Sequence, residues 1–168
     1  MKKEYEEKLA IARKLITEND LSCREEEERV LEGFRIIETL ILTLDTEILC
    51  ELLDFFITET KNEYKVCETL ESLIFDHFPG EQILEAYYQK FDSLAEKNPE
   101  RCTFIAIAYF FSQESNYEKF RKMFNTVKSK HSVKILEELK RKLKYGEWID
   151  KENDRAMVYA LEEDMGKW

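Results

Sequence analysis

The sequence predicts an all-α fold of stacked helical hairpins, and three observations predict it. First, 168 residues include only four glycines and two prolines, too few for the turns of a β-rich chain, and no apolar run sustains a two-residue alternation. Second, apolar residues recur at helical spacing, as in Ile48-Leu49-Leu52-Leu53-Phe56 and Ile83-Leu84-Tyr87-Tyr88-Phe91. Third, Asp45, Gly80 and Ser115 lie 35 residues apart, each a residue type that stands at a helix N-cap and each followed by such a run, the last being Tyr117-Phe120-Met123-Phe124-Val127. Second helices are expected to begin near Asn62, Asn98 and Ser132, with Pro99 in a first turn, where its missing N–H costs nothing. A fixed period of this length marks hairpins that bury their apolar faces only by stacking. The expected architecture is a HEAT-like α-solenoid of about eight helices plus a short C-terminal one. It forms a single domain over 1–168: a helix pair over 1–44, hairpins over 45–79, 80–114 and 115–146, and a cap over 147–168.

In chain order, a first helix is expected over Glu4–Thr17 with Leu9, Ala12, Leu15 and Ile16 inward. Asn19-Asp20-Leu21-Ser22 breaks it, and Ser22 with Glu25 reads as a capping box for the second helix. The acidic run Glu25–Glu28 suits the positive end of that helix. Val30, Leu31, Phe34, Ile37, Leu40, Ile41 and Leu44 carry its inner face.

Within the first hairpin Ile48, Leu49, Leu52, Leu53, Phe55 and Phe56 turn inward, while Glu47, Glu51 and Asp54 form an outward stripe at i, i+4 and i+7. Its return helix buries Val66, Cys67, Leu70, Leu73, Ile74 and Phe78, and sets out a second row, Tyr64-Glu68-Glu71-Phe75. An aromatic–acid–acid–aromatic row reads either as an interface or as rings half-buried against a neighbouring helix. In the second hairpin Glu81 and Glu85 lie outside an inner face of Ile83, Leu84, Tyr87, Phe91 and Leu94. Its return helix, Cys102 to Phe111, is apolar nearly all round and is expected to be buried on several sides. The third hairpin is basic and ends on Lys140-Arg141-Lys142-Lys144 and Gly146, cations at a helix C-terminus followed by a stop. Trp148, Ile149, Met157, Val158, Tyr159 and Leu161 supply the cap.

The net charge of −10 is unevenly spread. Residues 43–100 hold 14 acids and four bases, whereas residues 101–144 hold four acids and 11 bases. Such a distribution steers charged partners. No apolar run approaches the ~20 residues that span a bilayer, and the first residues, Met1-Lys2-Lys3-Glu4-Tyr5-Glu6-Glu7, lack the apolar core of a secretory signal. Cys23, Cys50, Cys67 and Cys102 are scattered without metal-ligand spacing and read as buried apolar residues of a reducing compartment. A cytoplasmic location is expected.

Enzyme chemistry needs converging polar groups, and few converge. His77 and His131 stand alone, and no HExxH, paired ExxH, glycine-rich phosphate loop or GxSxG elbow occurs. Cys67 with His77 is the remaining nucleophile–base pairing that spacing alone permits. The expectation is therefore a binding protein without cofactor, metal or catalytic residue.

The segment Leu94-Ala95-Glu96-Lys97-Asn98-Pro99-Glu100, the helix Arg101–Phe111, and then Ser115-Asn116-Tyr117 and Phe120 carry a family likeness. Together with small size, acidity and helical hairpins, they resemble the immunity proteins of bacterial contact-dependent inhibition and related polymorphic toxin systems. In one such family a Pro-Glu pair opens a helix and a short polar turn leads to a Tyr/Phe-bearing helix. Arg101 and Cys102 stand here where that pattern has an aromatic, and Ala108-Tyr109-Phe110 replaces a more polar segment. The resemblance implies a protein that binds the C-terminal domain of a cognate toxin, a nuclease, and contacts neither nucleic acid nor membrane itself. The expected contact residues are Glu47, Glu51, Asp54, Tyr64, Glu68, Glu71, Phe75, Glu81 and Glu85, carboxylates standing in for phosphate in a basic cleft. A helical-repeat adaptor for a peptide or folded protein is the alternative.

Overall fold

The computed structural model of the chain describes residues 2–111, 114–127, 129–146 and 151–167. Among these the fold is all-α, with helices α1 (Lys3–Glu18), α2 (Arg24–Ile41), α3 (Thr46–Leu53), α4 (Glu63–His77), α5 (Gly80–Lys97), α6 (Pro99–Ile105), α7 (Glu114–Val127), α8 (Lys130–Tyr145) and α9 (Lys151–Met165). A 3-10 turn, Asp54–Ile57, extends α3, and a π-helical turn, Ala106–Phe110, extends α6. Trp148, Ile149 and Trp168 lie outside the described residues.

The start signals are met in part. Asp45 caps α3 by accepting from the Glu47 N–H at 2.8 Å, and Asn98 caps α6 at the Arg101 N–H with Pro99 next to it. Gly80 and Ser115 fall inside their helices, so α3, α5 and α7 begin at Thr46, Gly80 and Glu114, 34 residues apart. Ser132 does not open α8: Ser129 does, and Ser132 is the reciprocal partner of its capping box. Ser22 caps nothing. Cys23 stands at the N-cap of α2, exposed rather than buried as expected, and Glu26 turns back to accept the Asp20 N–H at 2.6 Å. Asn62 is drawn away from capping α4 as well. Its side chain accepts from the Leu21 N–H and donates to the Asn19 carbonyl, which ties the α1–α2 turn to the segment before α4.

The chain divides into two compact units, Met1–Lys90 and Phe91–Trp168, and α5 contributes to both. In the first, α1 and α2 approach closely at Gly33, where a Cβ would stand 2.7 Å from Ile16 Cγ1 and 3.1 Å from the Ala12 carbonyl oxygen. The face of α2 holding Val30, Gly33, Phe34, Ile37, Leu40 and Ile41 is buried. Leu31 and Leu44 are exposed, contrary to the expected inner face: Leu31 falls off that stripe, and Leu44, which continues its spacing, lies beyond the helix end at Ile41. Leu44 also takes a left-handed backbone, φ 51°, at the turn that ends α2.

An aromatic core holds the second unit. Phe110 stacks on Phe120 at 5.3 Å, Phe120 meets Phe124 at 5.6 Å and Phe111 at 5.8 Å, and Phe91 packs edge-on against Phe124. The π turn makes this possible. Its extra residue lets consecutive Phe110 and Phe111 both point inward, and its wide bond runs from the Phe111 N–H to the Ala106 carbonyl. Cys102, Thr103, Ile105, Ala106, Phe110 and Phe111 are buried, in line with a helix expected to be covered on several sides, while Phe104 and Ala108 are exposed. From α7 the Tyr117 hydroxyl donates to the Met157 carbonyl at 2.6 Å, and Arg121 grips Asp164 of α9 at 2.6 and 3.0 Å.

Candidate partner-binding surface

The nine residues expected to meet a partner all belong to the first unit and come from α3 and its 3-10 turn, α4 and α5. That unit carries 22 acids against 11 bases, a net charge of −11, while Phe91–Trp168 carries 14 acids and 15 bases.

The α3 stripe does not stay whole. Glu47 is exposed on the first turn, but α3 ends at Leu53, so Asp54 opens a tighter 3-10 turn and is half-buried. Its carboxylate is 2.6 Å from Lys90 Nζ, both side chains about a quarter exposed. Glu51 is engaged as well, 3.6 Å from Arg13. The Arg13 guanidinium donates to Thr58 Oγ1 and the Glu51 carbonyl and lies 4.5 Å over the Phe55 ring. Thr58 in turn donates to the Asp54 carbonyl. The structure thus brings Glu51 and Asp54 together in one network that fastens α3 and its 3-10 turn to α1 and α5. Their first role is internal.

The α4 row divides along its length. Tyr64, on the first turn, is 77% exposed, more than any other large apolar or aromatic side chain among the described residues. Glu68 is exposed beside Lys65 at 3.1 Å, an open pair that contributes little to stability. Glu71 and Phe75, two and three turns beyond Tyr64, are half-buried. On α5, Glu81 and Glu85 are both exposed. Of the nine, the exposed carboxylates are therefore Glu47, Glu68, Glu81 and Glu85, and Tyr64 is the exposed ring.

Arg13 and Lys90 were missed, yet a signal existed. Arg13 shares its helix face with Leu9, Ala12 and Ile16, and Lys90 follows Tyr87 by three residues, so both cations occupy inward positions where a partner carboxylate is needed.

The groups able to do chemistry stand apart. Cys67 and His77 lie on one helix, ten residues and therefore roughly 15 Å apart along its axis, which excludes a nucleophile–base hydrogen bond between them. His77 is exposed with Nδ1 3.0 Å from the Leu73 carbonyl. Burial pushes the Cys50 thiol upward, away from the thiolate, and Cys50 donates to Gln89 at 3.4 Å. No cluster of three His, Cys, Asp or Glu side chains suited to a metal occurs among the described residues, and no described helix is long and apolar enough to cross a membrane.

Comparison with family models, curated proteins and solved structures yields no match to this chain.

Proposed function

We propose that this protein is a cytoplasmic immunity protein of a bacterial polymorphic toxin system, one that binds the C-terminal nuclease domain of its cognate toxin. The observation that carries the reading is the −11 charge of Met1–Lys90, with Tyr64 exposed on the same helix as the exposed Glu63 and Glu68. A nuclease needs a cationic cleft for phosphates, and a carboxylate surface competes for it. An exposed tyrosine is the kind of rigid, amphipathic anchor that dominates interface energetics. The protein acts by occupancy and not by catalysis, and its helical hairpins form a HEAT-like stack that presents α3, α4 and α5. The contact set is Glu47, Tyr64, Glu68, Glu81 and Glu85, supported at its edge by Glu51, Asp54, Glu71 and Phe75.

A titration against the C-terminal domain encoded immediately upstream, at low and high salt, tests this. Binding tighter than ~10 nM, on the scale of specific complexes, with loss of that domain's toxicity is expected. Tyr64→Ala should weaken binding at least tenfold by raising the off-rate, and Glu68→Lys with Glu85→Lys should slow association and flatten its salt dependence. Full toxicity in the presence of saturating protein would sink the proposal.

A helical-repeat adaptor is the second reading. It is favoured by exposed Leu42 and Leu44 in the turn after α2, Leu42 being 73% exposed. Binding that survives charge reversal but fails on Leu42→Ser would support it.

A further inference from the structure

A cleft of about 220 Å³ opens between α8 and α9 in the second unit, and none of the residues lining it belongs to the proposed toxin surface. Lys140, Leu143 and Lys144 line it from α8, and Arg155, Val158 and Tyr159 from α9. The two triplets share one spacing, i, i+3 and i+4, so each is a single helix face. Val158 is buried and Leu143 half-buried, which makes an apolar floor, and Tyr159 is 54% exposed at the rim.

The three cations differ in how they are compensated. Lys140 Nζ is 2.7 Å from Glu162 and 3.6 Å from Glu137, so its charge is matched inside the fold. Lys144 lies 5.8 Å from the Tyr145 ring centroid, and neither Lys144 nor Arg155 has a carboxylate within 4 Å among the described residues. In a chain of net charge −10, two uncompensated cations facing one concavity are conspicuous. Carboxylates are abundant nearby in sequence, at Glu152, Glu162 and Glu163, and none of them pairs with either cation.

We propose that this cleft binds the phosphate monoester of a small organic molecule. Two unmatched positive charges are neutralised by a dianion, and a phosphate monoester carries about −1.5 to −2 at pH 7, whereas a carboxylate carries one charge. The Arg155 guanidinium offers a planar fork to two phosphate oxygens, and Lys144 offers a point charge on the same group. The Leu143–Val158 floor and the Tyr159 ring take the organic part. The size agrees. Pockets for drug-sized ligands measure roughly 300–1,000 Å³, so this smaller cleft accommodates one phosphate and a group no larger than a single ring.

The test is calorimetric titration of the full chain, in phosphate-free low-salt buffer, with phenyl phosphate, inorganic phosphate and benzoate. Saturable one-to-one binding of phenyl phosphate is expected, at least tenfold tighter than benzoate or inorganic phosphate. Its affinity should rise between pH 5 and 7 as the second phosphate proton, with a pKa of about 6, is lost. Arg155→Glu and Lys144→Glu should each weaken it at least tenfold. Lys122→Glu, an equal charge change at an exposed α7 position outside the cleft, should leave it within about threefold, the residue of long-range screening. Absence of saturation, equal affinity for benzoate, a flat pH profile, or cleft variants indistinguishable from Lys122→Glu would each overturn the proposal.

Discussion

Replacing Gly33 with alanine sets two known effects against each other at one atom. Gly33 lies in the interior of α2, where alanine is favoured over glycine by about 1 kcal/mol of helix propensity. The added Cβ, however, would stand 2.7 Å from Ile16 Cγ1, 3.1 Å from the Ala12 carbonyl oxygen and 3.2 Å from Leu15 Cβ. Ile16 is fully buried, Cγ1 is the stem of its side chain rather than a free end, and the Ala12 oxygen belongs to the backbone of α1. Relief therefore requires moving one helix off the other, and overpacking of this kind costs about 1–3 kcal/mol. The steric effect wins, for a net loss of about 1 kcal/mol, or roughly 2–4 °C in melting temperature for a chain of this size. Gly166→Ala supplies the contrast. Its Cβ would meet nothing nearer than 3.5 Å, so a change between zero and a gain of about 1 kcal/mol is expected there. Urea unfolding of both variants measures the difference. A second reading comes from Ile16→Ala, which costs about 2–5 kcal/mol in the parent. In the Gly33→Ala background it should cost at least ~1 kcal/mol less, because the truncation removes the clash. Refutation is simple: Gly33→Ala as stable as Gly166→Ala, with additive behaviour in the Ile16 cycle.

Three further predictions concern the second unit. Thr103 is fully buried and its hydroxyl has no hydrogen-bond partner among the described residues, so Thr103→Val should stabilise the fold by about 1 kcal/mol; a loss of stability in urea would contradict that account. Hydrogen bonding from the Arg121 guanidinium holds the Asp164 carboxyl well below the usual carboxylate range, with Asn125 adding a second donor. Because the folded value is depressed, this stabilisation is complete above the unfolded pKa of about 4 and is lost as pH falls further toward the folded value. Asp164→Asn should accordingly cost about 1.5–3 kcal/mol at pH 7, and that cost should shrink below pH 4; a cost unchanged down to pH 2 would refute it. Burial pushes the Tyr117 phenol up to about 12, so its contribution is intact below pH 10 and fades between pH 10 and 12. Tyr117→Phe should be less stable by about 1 kcal/mol at neutral pH and lose less than the parent on that alkaline rise.

Helix placement was legible because it rests on local rules. Asp45 and Asn98 cap where their side chains can reach an N–H two or three residues on, and the apolar faces of α3, α7 and α8 follow from spacing alone. What escaped depends on contacts between distant segments. Asn62 bonds to Leu21 and Asn19 more than 40 residues away, which no local pattern signals. The π turn at Ala106–Phe110 is likewise set by the need to bury Phe110 and Phe111 together, while a continuous α-helix would turn one of them outward. Lys142 sat in a run of cations that local rules assign to solvent, yet it is buried, its Nζ 3.6 Å from Glu100, because it falls one turn after Leu139 and two after Ile135 on the inner face. At the candidate surface, the positions of the carboxylates were readable but their engagements were not. Glu51 and Asp54 look identical to Glu47 in a helical projection until Arg13 and Lys90 are brought against them.

The exposure of Cys23 gives the molecule a built-in handle. The other three thiols are buried, so a maleimide dye applied to the folded protein should enter at one position without any cysteine having to be removed. That position is the N-cap of α2, in the unit that carries the acidic surface, and it lies outside the proposed contact set. A singly labelled protein would report association with a candidate toxin domain by anisotropy or energy transfer. The reaction itself doubles as a folding assay: one thiol titrates in buffer and four in denaturant, so the pace at which the remaining three become reactive measures how often the core opens.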